Sequence, residues 1–130
     1  MVPTSERNVG QIRIANEVVG IISGLAATEI VGVAGMSGGI AGGISEMLGK
    51  KSLAKGVRVE VGEKEAAVDL YVIIDFGVSI PDVAWQVQEN VKKAIESMTG
   101  LDVIEVNVHV QGVSFQNEEK QEEELPARVK

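Results

Sequence analysis

A run of glycines in the first half of the chain constrains its fold more than any other feature. The run separates two strongly patterned segments and contains Gly32, Gly35, Gly38, Gly39, Gly42, Gly43 and Gly49. Glycine adopts backbone conformations that other residues avoid and lets backbones approach closely. The chain also has no cysteine and a single histidine, so the side chains that commonly move protons or electrons are scarce. The sequence therefore favours a binding or scaffolding role over catalysis.

Length and composition predict one folded domain. At 130 residues with 45% hydrophobic and 3% aromatic residues, the chain can bury a single core built from Val, Ile, Leu and Ala. The net charge of −7 weighs against a nucleic-acid surface, which needs clustered Lys and Arg. No secretory signal precedes the patterned region, and the uncharged span 30–45 is too short and too rich in glycine to cross a bilayer. We therefore expect a cytoplasmic protein.

The first half of the chain predicts a strand, a helix and a second strand. Polar and apolar residues alternate over 11–15, and Asn16 then offers an N-cap for a helix. The second strand is predicted at 31–36, and a short, weak helix that ends at Gly49 is predicted after the glycines. The apolar stripe of the first helix is predicted from Val18, Ile21, Ile22 and Leu25.

The second half predicts a hairpin, a long helix and a last strand. Alternating segments at 57–61 and 68–76 flank a short polar turn, as in a β-hairpin. Pro81 in a first turn and Gly100 as the stop bound the clearest helix. Residues 104–111 alternate between apolar and polar, which predicts a strand with one buried face. The stripe of the long helix is predicted from Ile80, Ala84, Val87, Val91, Ala94, Ile95 and Met98.

Together these elements predict an α+β fold. The expected architecture is a two-layer α/β sandwich with the helices on one face of a mixed sheet, in the order β-α-β-(short α)-β-β-α-β. The strand order within the sheet cannot be read from the pattern. Residues 10–116 are expected to form the single domain, with a flexible N-terminus at 1–9 and a disordered acidic tail at 117–130.

Two nucleotide-binding motifs are absent, and one nucleic-acid motif is matched weakly. The glycine spacing fits neither a phosphate-binding loop nor a dinucleotide fingerprint. The segment from Gly35 to Gly38 does match the Gly-x-x-Gly loop of RNA-binding KH modules, although Met36 and Ser37 supply no basic residue between the glycines. The basic cluster of Lys50, Lys51 and Lys55 is the candidate phosphate contact for that alternative, and a flexible turn with a solvated helix end is the simpler interpretation.

His109 is a weak candidate for metal binding or acid–base chemistry. It shares a predicted strand face with Glu105 and Asn107, and Asp69 and Asp75 lie on a strand that could be its neighbour. One histidine without a second is thin support for a metal site. A solvated histidine on an open sheet face is the favoured interpretation. We therefore predict no catalytic residue, no metal and no cofactor.

Trp85 is the more interesting candidate because of its place on the long helix. It lies opposite the Val87 and Val91 stripe, so the only tryptophan of the chain is expected to face away from the sheet. An exposed tryptophan is a favoured anchor in protein interfaces. Packing of Trp85 beneath the glycine segment or a nearby loop is the equally weighted alternative.

Four segments resemble a known family. They are 10–14 leading into a helix, the Val-Gly-Val-Ala-Gly-Met-Ser-Gly-Gly stretch at 31–39, the Ile-Pro start of the long helix with its Met-Thr-Gly end, and 106–113. Over residues 8–115 the chain resembles the alkaline-shock-protein (general stress protein) family of Gram-positive bacteria. The resemblance implies a small cytoplasmic α/β protein linked to envelope and alkaline stress, without a catalytic set. Some members sit at the membrane by docking on an integral membrane partner, and others lie genetically near lipid-metabolism functions.

The first functional hypothesis is a non-enzymatic scaffold or regulator of envelope homeostasis that acts through protein contacts. Its candidate partners are an integral membrane anchor protein, a lipid-synthesis enzyme or a second copy of the chain. A KH-like RNA-binding module and a small lipid carrier are the alternatives, and periodicity cannot reveal the cavity that a carrier needs. The candidate contact residues are Gly35, Met36, Ser37, Gly38, Gly39 and Trp85.

Overall fold

A computed structural model describes residues 9–38 and 55–115 of the chain. In these ranges it forms an α+β fold with two helices and a four-stranded sheet. The elements in chain order are α1 (Asn16–Thr28), β1 (Val33–Met36), β2 (Val57–Val61), β3 (Glu65–Asp75), α2 (Ile80–Thr99) and β4 (Asp102–Ser114).

Strand β3 is the centre of the sheet. Strand β4 pairs with it in parallel along its whole length, from Glu65 opposite Asp102 to Asp75 opposite Ser114. The other side of β3 is shared by two short antiparallel strands, with β2 opposite residues 66–70 and β1 opposite residues 72–74. The sheet is therefore mixed, and the β2–β3 hairpin predicted from the alternation is confirmed. The strand order, which the pattern could not supply, places β1 and β2 one after the other along the same edge.

The core lies between the two helices and one face of the sheet. Alternate residues of β3 that face the helices are at most 1% exposed: Ala66, Val68, Leu70, Val72 and Ile74. They pack with Val19 and Ile22 of α1 and with Val87 and Val91 of α2. Burying a side chain of this size stabilises the fold by about 1.5 to 3 kcal/mol. The predicted placement of both helices on one face is thus what the packing shows.

Helix α2 forms as its pattern predicts. Buried residues recur every four positions at Val83, Val87, Val91 and Ile95, which is the spacing of one helical face. Pro81 sits in the first turn, where its missing N–H is not needed. Gly100 ends the helix with a φ of 78°, a left-handed conformation that favours glycine. Ile80 and Met98, at the two ends of the predicted stripe, are 41% and 70% exposed.

The segment before α1 differs from its prediction. Residues 11–15 form no strand, and the helix begins at Asn16 itself, with Ala15 in the cap position and no side-chain cap bond. The stripe of α1 is also rotated, because Val18 and Leu25 are 44% and 45% exposed. The buried arc contains small residues that allow close approach to neighbouring elements, and comprises Val19, Gly20, Ile22, Ser23, Gly24, Ala26 and Ala27.

Two apolar residues assigned to buried strand faces are exposed. Phe76, 58% exposed, follows the end of β3 and lies in a turn. Ile104 is 60% exposed because the β3–β4 register shifts between Ala66 and Ala67, so that β4 carries an extra residue there. The predicted helix ending at Gly49, the N-terminal residues 1–8 and the tail from residue 116 lie outside the described residues.

Candidate functional site

The described part of the glycine run belongs to the edge of the sheet. Gly35 lies opposite Ile73 and Met36 opposite Val72 of β3, and Met36 packs against the core. The backbone N–H of Ser37 then donates to the Tyr71 carbonyl at 2.7 Å. Gly38 follows with a φ of 88° and is exposed. The candidate segment is therefore a strand end that turns away from the sheet.

The chain returns to the sheet at the point where it left. The backbone N–H of Tyr71 donates to the Gly56 carbonyl at 2.8 Å, so Tyr71 bonds both sides of the gap. A Cβ atom on Gly56 would lie 2.7 Å from the Ser37 carbonyl oxygen, and the φ of Gly56 is 78°. Both facts require glycine at this crossing. Lys55, half-buried, directly precedes the crossing, whereas Gly39, Lys50 and Lys51 lie outside the described residues.

This pairing gives no support to a KH-type phosphate clamp. Such a loop needs backbone groups that are free to approach phosphates. Here the Ser37 amide already bonds to the Tyr71 carbonyl, and the Met36 side chain is directed to the core. The Gly-x-x-Gly spacing arises instead from a strand end and its turn.

Polar side chains on the open face of the sheet form a small network. The Asn107 side-chain amide donates to Asp69 Oδ1 at 2.9 Å, and His109 Nε2 lies 3.3 Å from the same oxygen. The hydrogen bond from Asn107 is the main cause that lowers the pKa of the Asp69 carboxyl, followed by the one from His109. The His109 ring stacks on Tyr71 with centroids 4.5 Å apart. The sequence had placed His109, Asn107 and Asp69 as possible neighbours, and the structure brings them together.

The network does not assemble a metal-binding cluster. Within residues 9–38 and 55–115, no three His, Cys, Asp or Glu side chains are arranged to hold a metal ion. Asp75 lies farther along the sheet, opposite Ser114, and Glu105 Oε1 accepts a hydrogen bond from the Asn107 side-chain amide at 3.3 Å. A second polar link crosses the same face, where the Ser37 hydroxyl donates to Gln111 Oε1 at 2.8 Å.

Trp85 lies on the opposite side of the molecule. It is 60% exposed on the side of α2 that faces away from the sheet, as its helical position predicts. The ion pair of Lys92 and Glu96, with 2.8 Å between Nζ and Oε2, lies farther along α2, where Glu96 Oε2 also accepts the backbone N–H of Val103 in β4 at 3.0 Å. Gly35 to Gly38 lie at the edge of the sheet and Trp85 on the outer side of α2, so the two predicted contact regions belong to different layers of the fold.

An exposed aromatic pair was missed by the sequence reasoning. The rings of Phe76 and Phe115 lie 4.9 Å apart and are 58% and 40% exposed. Each phenylalanine directly follows the end of a strand, β3 or β4, and the two strands are parallel neighbours. Only the pairing of β3 with β4 brings them together, so the sequence contained no sufficient signal.

A depression of about 470 Å³ lies at the hairpin end of the sheet. It opens to solvent and is lined by both apolar and acidic side chains, among them Val61, Ala67, Ile104, Glu60 and Glu65. Its lining also includes Ala66 of the core and Asn16 at the start of α1. Neither helix of the described chain is long and apolar enough to cross a membrane.

Comparison with known proteins places the chain in a family. The model of the family of alkaline shock protein 23, described as having a cell envelope-related function, matches residues 4–115. This chain belongs to that family. The resemblance inferred from the glycine stretch and the flanking segments is therefore confirmed, and the family is one of stress-response and cell-envelope-related proteins.

Similar proteins occur in Gram-positive bacteria. Uncharacterized protein YqhY of Bacillus subtilis strain 168 is 42% identical over 85% of this chain and 82% of its own length. Protein YloU of the same organism is 38% identical over 83% and 92%. A stress response regulator gls24 homolog of Streptococcus pyogenes is 36% identical over 78% of this chain and 57% of its own length.

A solved structure of the MamM CTD has a much more distant likeness. It covers 74% of this chain and 94% of its own length at 16% identity and a TM-score of 0.46. A likeness at this level does not bear on function.

Proposed function

We propose that this chain is a non-enzymatic scaffold or regulator of the cell-envelope stress response that acts through protein contacts. The observation that carries the proposal is Trp85, which is 60% exposed on the outer side of α2. A tryptophan offers a large rigid contact area, and tryptophans are enriched among the residues that dominate binding energy. Membership of an envelope-related stress family supports the same role. The partner is an integral membrane protein or a lipid-synthesis enzyme, through which the chain associates with the membrane.

The outer surface of α2 has the composition of a protein interface. Trp85 supplies the apolar anchor, and charges of both signs follow it along the same side of α2, with Glu89 about one turn and Lys92 about two turns away. Protein interfaces commonly place polar, solvent-accessible groups beside an apolar centre. Because the residues that build the core lie on the other side of the helix, this surface can change without loss of the fold.

Affinity capture with a matched variant tests the proposal. The tagged chain would be used to capture proteins and nucleic acids from membrane and soluble fractions of the native host, with both classes identified. We expect Trp85→Ala to lose an integral membrane protein or a lipid-synthesis enzyme that the wild type retains. Met98→Ala removes another exposed apolar side chain, 70% exposed near the far end of α2, and should retain the partner.

Two outcomes would contradict the proposal. One is equal capture by the wild type and Trp85→Ala, which would show that the indole is not an anchor. The other is recovery of RNA alone, released by salt as phosphate contacts require. Circular dichroism of both variants ensures that a lost partner reflects a lost contact and not an unfolded chain.

A further inference from the structure

The two edges of the sheet differ in their ability to accept another strand. One edge consists of β1 and β2, which are four and five residues long and are separated in the sequence by residues 37–56. The other edge is β4, which has thirteen residues. In the described part of the chain, β4 pairs on one side only, with β3. A long unpaired edge is a template for strand addition.

The backbone groups on the outer side of β4 can be identified. Tyr71 directs both its N–H and its C=O to the β1–β2 edge, so the alternate residues Leu70 and Val72 direct theirs to β4. Leu70 lies opposite Val108, and in a parallel pair it bonds to the residues on either side of that position. Val108 therefore points its own N–H and C=O away from β3.

A side chain confirms this assignment at a second position. The Gln88 side-chain amide of α2 donates to the Val106 carbonyl at 2.9 Å. A carbonyl that a helix side chain reaches in this way is one that β3 does not use. With the period of two along a strand, the outward set is Val106, Val108 and Val110. These residues lie between two register shifts, opposite Ala66–Ala67 and Val72–Ile73, so residues 105–110 form a regular stretch.

We propose that this stretch of β4 joins a second copy of the chain, strand to strand and antiparallel, about a two-fold axis at Val108. Val106 of one copy then pairs with Val110 of the other, and the reciprocal pairs give about six backbone hydrogen bonds. Closed two-fold symmetry is the commonest arrangement of homo-oligomers. The result is a continuous sheet across both copies, with the helices on one face.

Charge favours a second copy at this edge over most other surfaces of the molecule. The chain carries a net charge of −7, so contacts between copies are generally repulsive. Between Val103 and Ser114 the only carboxylate is Glu105. In the proposed register Glu105 lies opposite Gln111 of the other copy, and Asn107 lies opposite His109. No two carboxylates face each other, which avoids the like-charge pairs that destabilise strand pairing.

Gln88 competes with the second copy for the Val106 carbonyl. In the dimer that carbonyl accepts a bond from Val110 of the other copy, so the Gln88 amide has to share the oxygen or move away. Gln88 is exposed and can rotate into solvent. Removing the Gln88 side chain should therefore tighten the dimer. A Gln88 side chain that only stabilised the monomer would not have this effect.

Sedimentation equilibrium of the full chain over a concentration series tests the proposal. We expect a reversible monomer–dimer equilibrium, and a dissociation constant that Gln88→Ala lowers by up to about a hundredfold, because the symmetric dimer meets two competing hydrogen bonds, one in each copy, each worth about threefold to tenfold. Val108→Pro removes an outward N–H that β3 does not use and should abolish the dimer. Val59→Pro is the matched control, because Val59 also directs its N–H outward, on the β2 edge, and it should leave the dimer intact.

Hydrogen exchange separates a second copy from other occupants of the edge. The amides of Val106, Val108 and Val110 should gain protection as the concentration of the chain rises. Protection that is independent of concentration would mean that a segment of the same chain covers β4, and the proposal would be wrong. A chain that stays monomeric, a dimer that Val108→Pro leaves intact, or a dimer that Gln88→Ala weakens, would also overturn it. The purified chain alone is measured, so the result does not depend on the partner proposed for Trp85.

Discussion

The two faces of β3 divide the molecule into a part that stabilises the fold and a part that is free to change. On the helix side, Leu70 and Val72 are fully buried. On the open side, Asp69 and Tyr71 are partly exposed and contact polar groups of β4. Neighbouring residues of one strand therefore contribute very differently to stability. The comparison teaches that the free energy of folding is concentrated between sheet and helices, while the open face and the outer helix surface remain available for contacts.

The largest expected effect comes from truncation on the buried face. Leu70→Ala should lower the free energy of unfolding by about 2 to 5 kcal/mol, because the lost transfer energy adds to the cost of the cavity. Ile73→Ala removes a similar volume from the open face of the same strand and should cost clearly less. Urea denaturation of both variants measures the difference. Equal losses would mean that the open face is as tightly packed as the core.

Gly32, which faces the core, and Gly112, which lies beside the open face of the sheet, test the same difference between the two faces. A Cβ on Gly32 would lie 2.7 Å from Val83 Cγ2, which belongs to the core, and the φ of Gly32 is 108°. Gly32→Ala should destabilise the fold by about 1 to 3 kcal/mol. A Cβ on Gly112 would lie 2.9 Å from Ile73 Cδ1, the free end of a side chain on the open face. Gly112→Ala should therefore cost less than Gly32→Ala in urea denaturation.

Gly77→Ala separates the cost of backbone strain from the cost of steric overlap with Val83 in that experiment. Gly77 has a φ of 100°, close to that of Gly32, but no atom lies within 4 Å of its added Cβ. Its loss of stability measures the cost of the backbone conformation alone. If Gly77→Ala and Gly32→Ala are equally destabilising, the contact with Val83 contributes nothing.

Titration of the open face should have a smaller effect. Hydrogen bonds from Asn107 and then His109 lower the pKa of Asp69, so the folded state favours the carboxylate. The stabilisation is present above the unfolded pKa and is lost as the pH falls through the lower folded pKa. Asp69→Asn should therefore flatten the acid limb of stability below about pH 4. The pair is partly exposed, so the loss should stay within about 1 kcal/mol. An unchanged acid limb in urea denaturation would contradict this assignment.

The smallest expected effect is at Trp85. Because its side chain is 60% exposed, Trp85→Ala should change the free energy of unfolding by no more than about 0.5 kcal/mol. Chemical denaturation followed by circular dichroism measures it without relying on the lost fluorophore. A loss of several kcal/mol would show that Trp85 stabilises the fold as the buried residues do. It would also remove the basis for the proposal that Trp85 anchors a partner.

Much of the fold was predictable where local pattern and tertiary packing agree. In α2 the stripe, Pro81 and Gly100 all act within the helix, so periodicity alone located it. In α1 the same approach selected Leu25 as buried, because nearly every position of that helix is apolar or small and several faces fit the period. The prediction of a first strand was wrong for a related reason. An alternating segment such as 11–15 forms a strand only beside a neighbouring strand, and none pairs with it in the described chain.

The candidate site was predictable only in part. Trp85 could be placed because a helix relates it directly to Val87 and Val91. The Phe76–Phe115 pair could not, because it depends on which strands are neighbours. The role of Gly56 could not be predicted either. Position 56 requires glycine because the Ser37 and Tyr71 carbonyls lie close to it. These carbonyls approach Gly56 only when two separate stretches of chain meet at one edge of the sheet.

By itself, the sequence determined the fold class, the long helix, the hairpin and the family, because each depends on short-range spacing or on a contiguous motif. The tertiary structure alone decided that β3 is central, that β1 and β2 share one edge while β4 forms the other, and which face of α1 is buried. Pairing and packing are choices among distant segments with similar local patterns. They are settled by the hydrogen bonds and buried area of the whole assembly, which no local window contains.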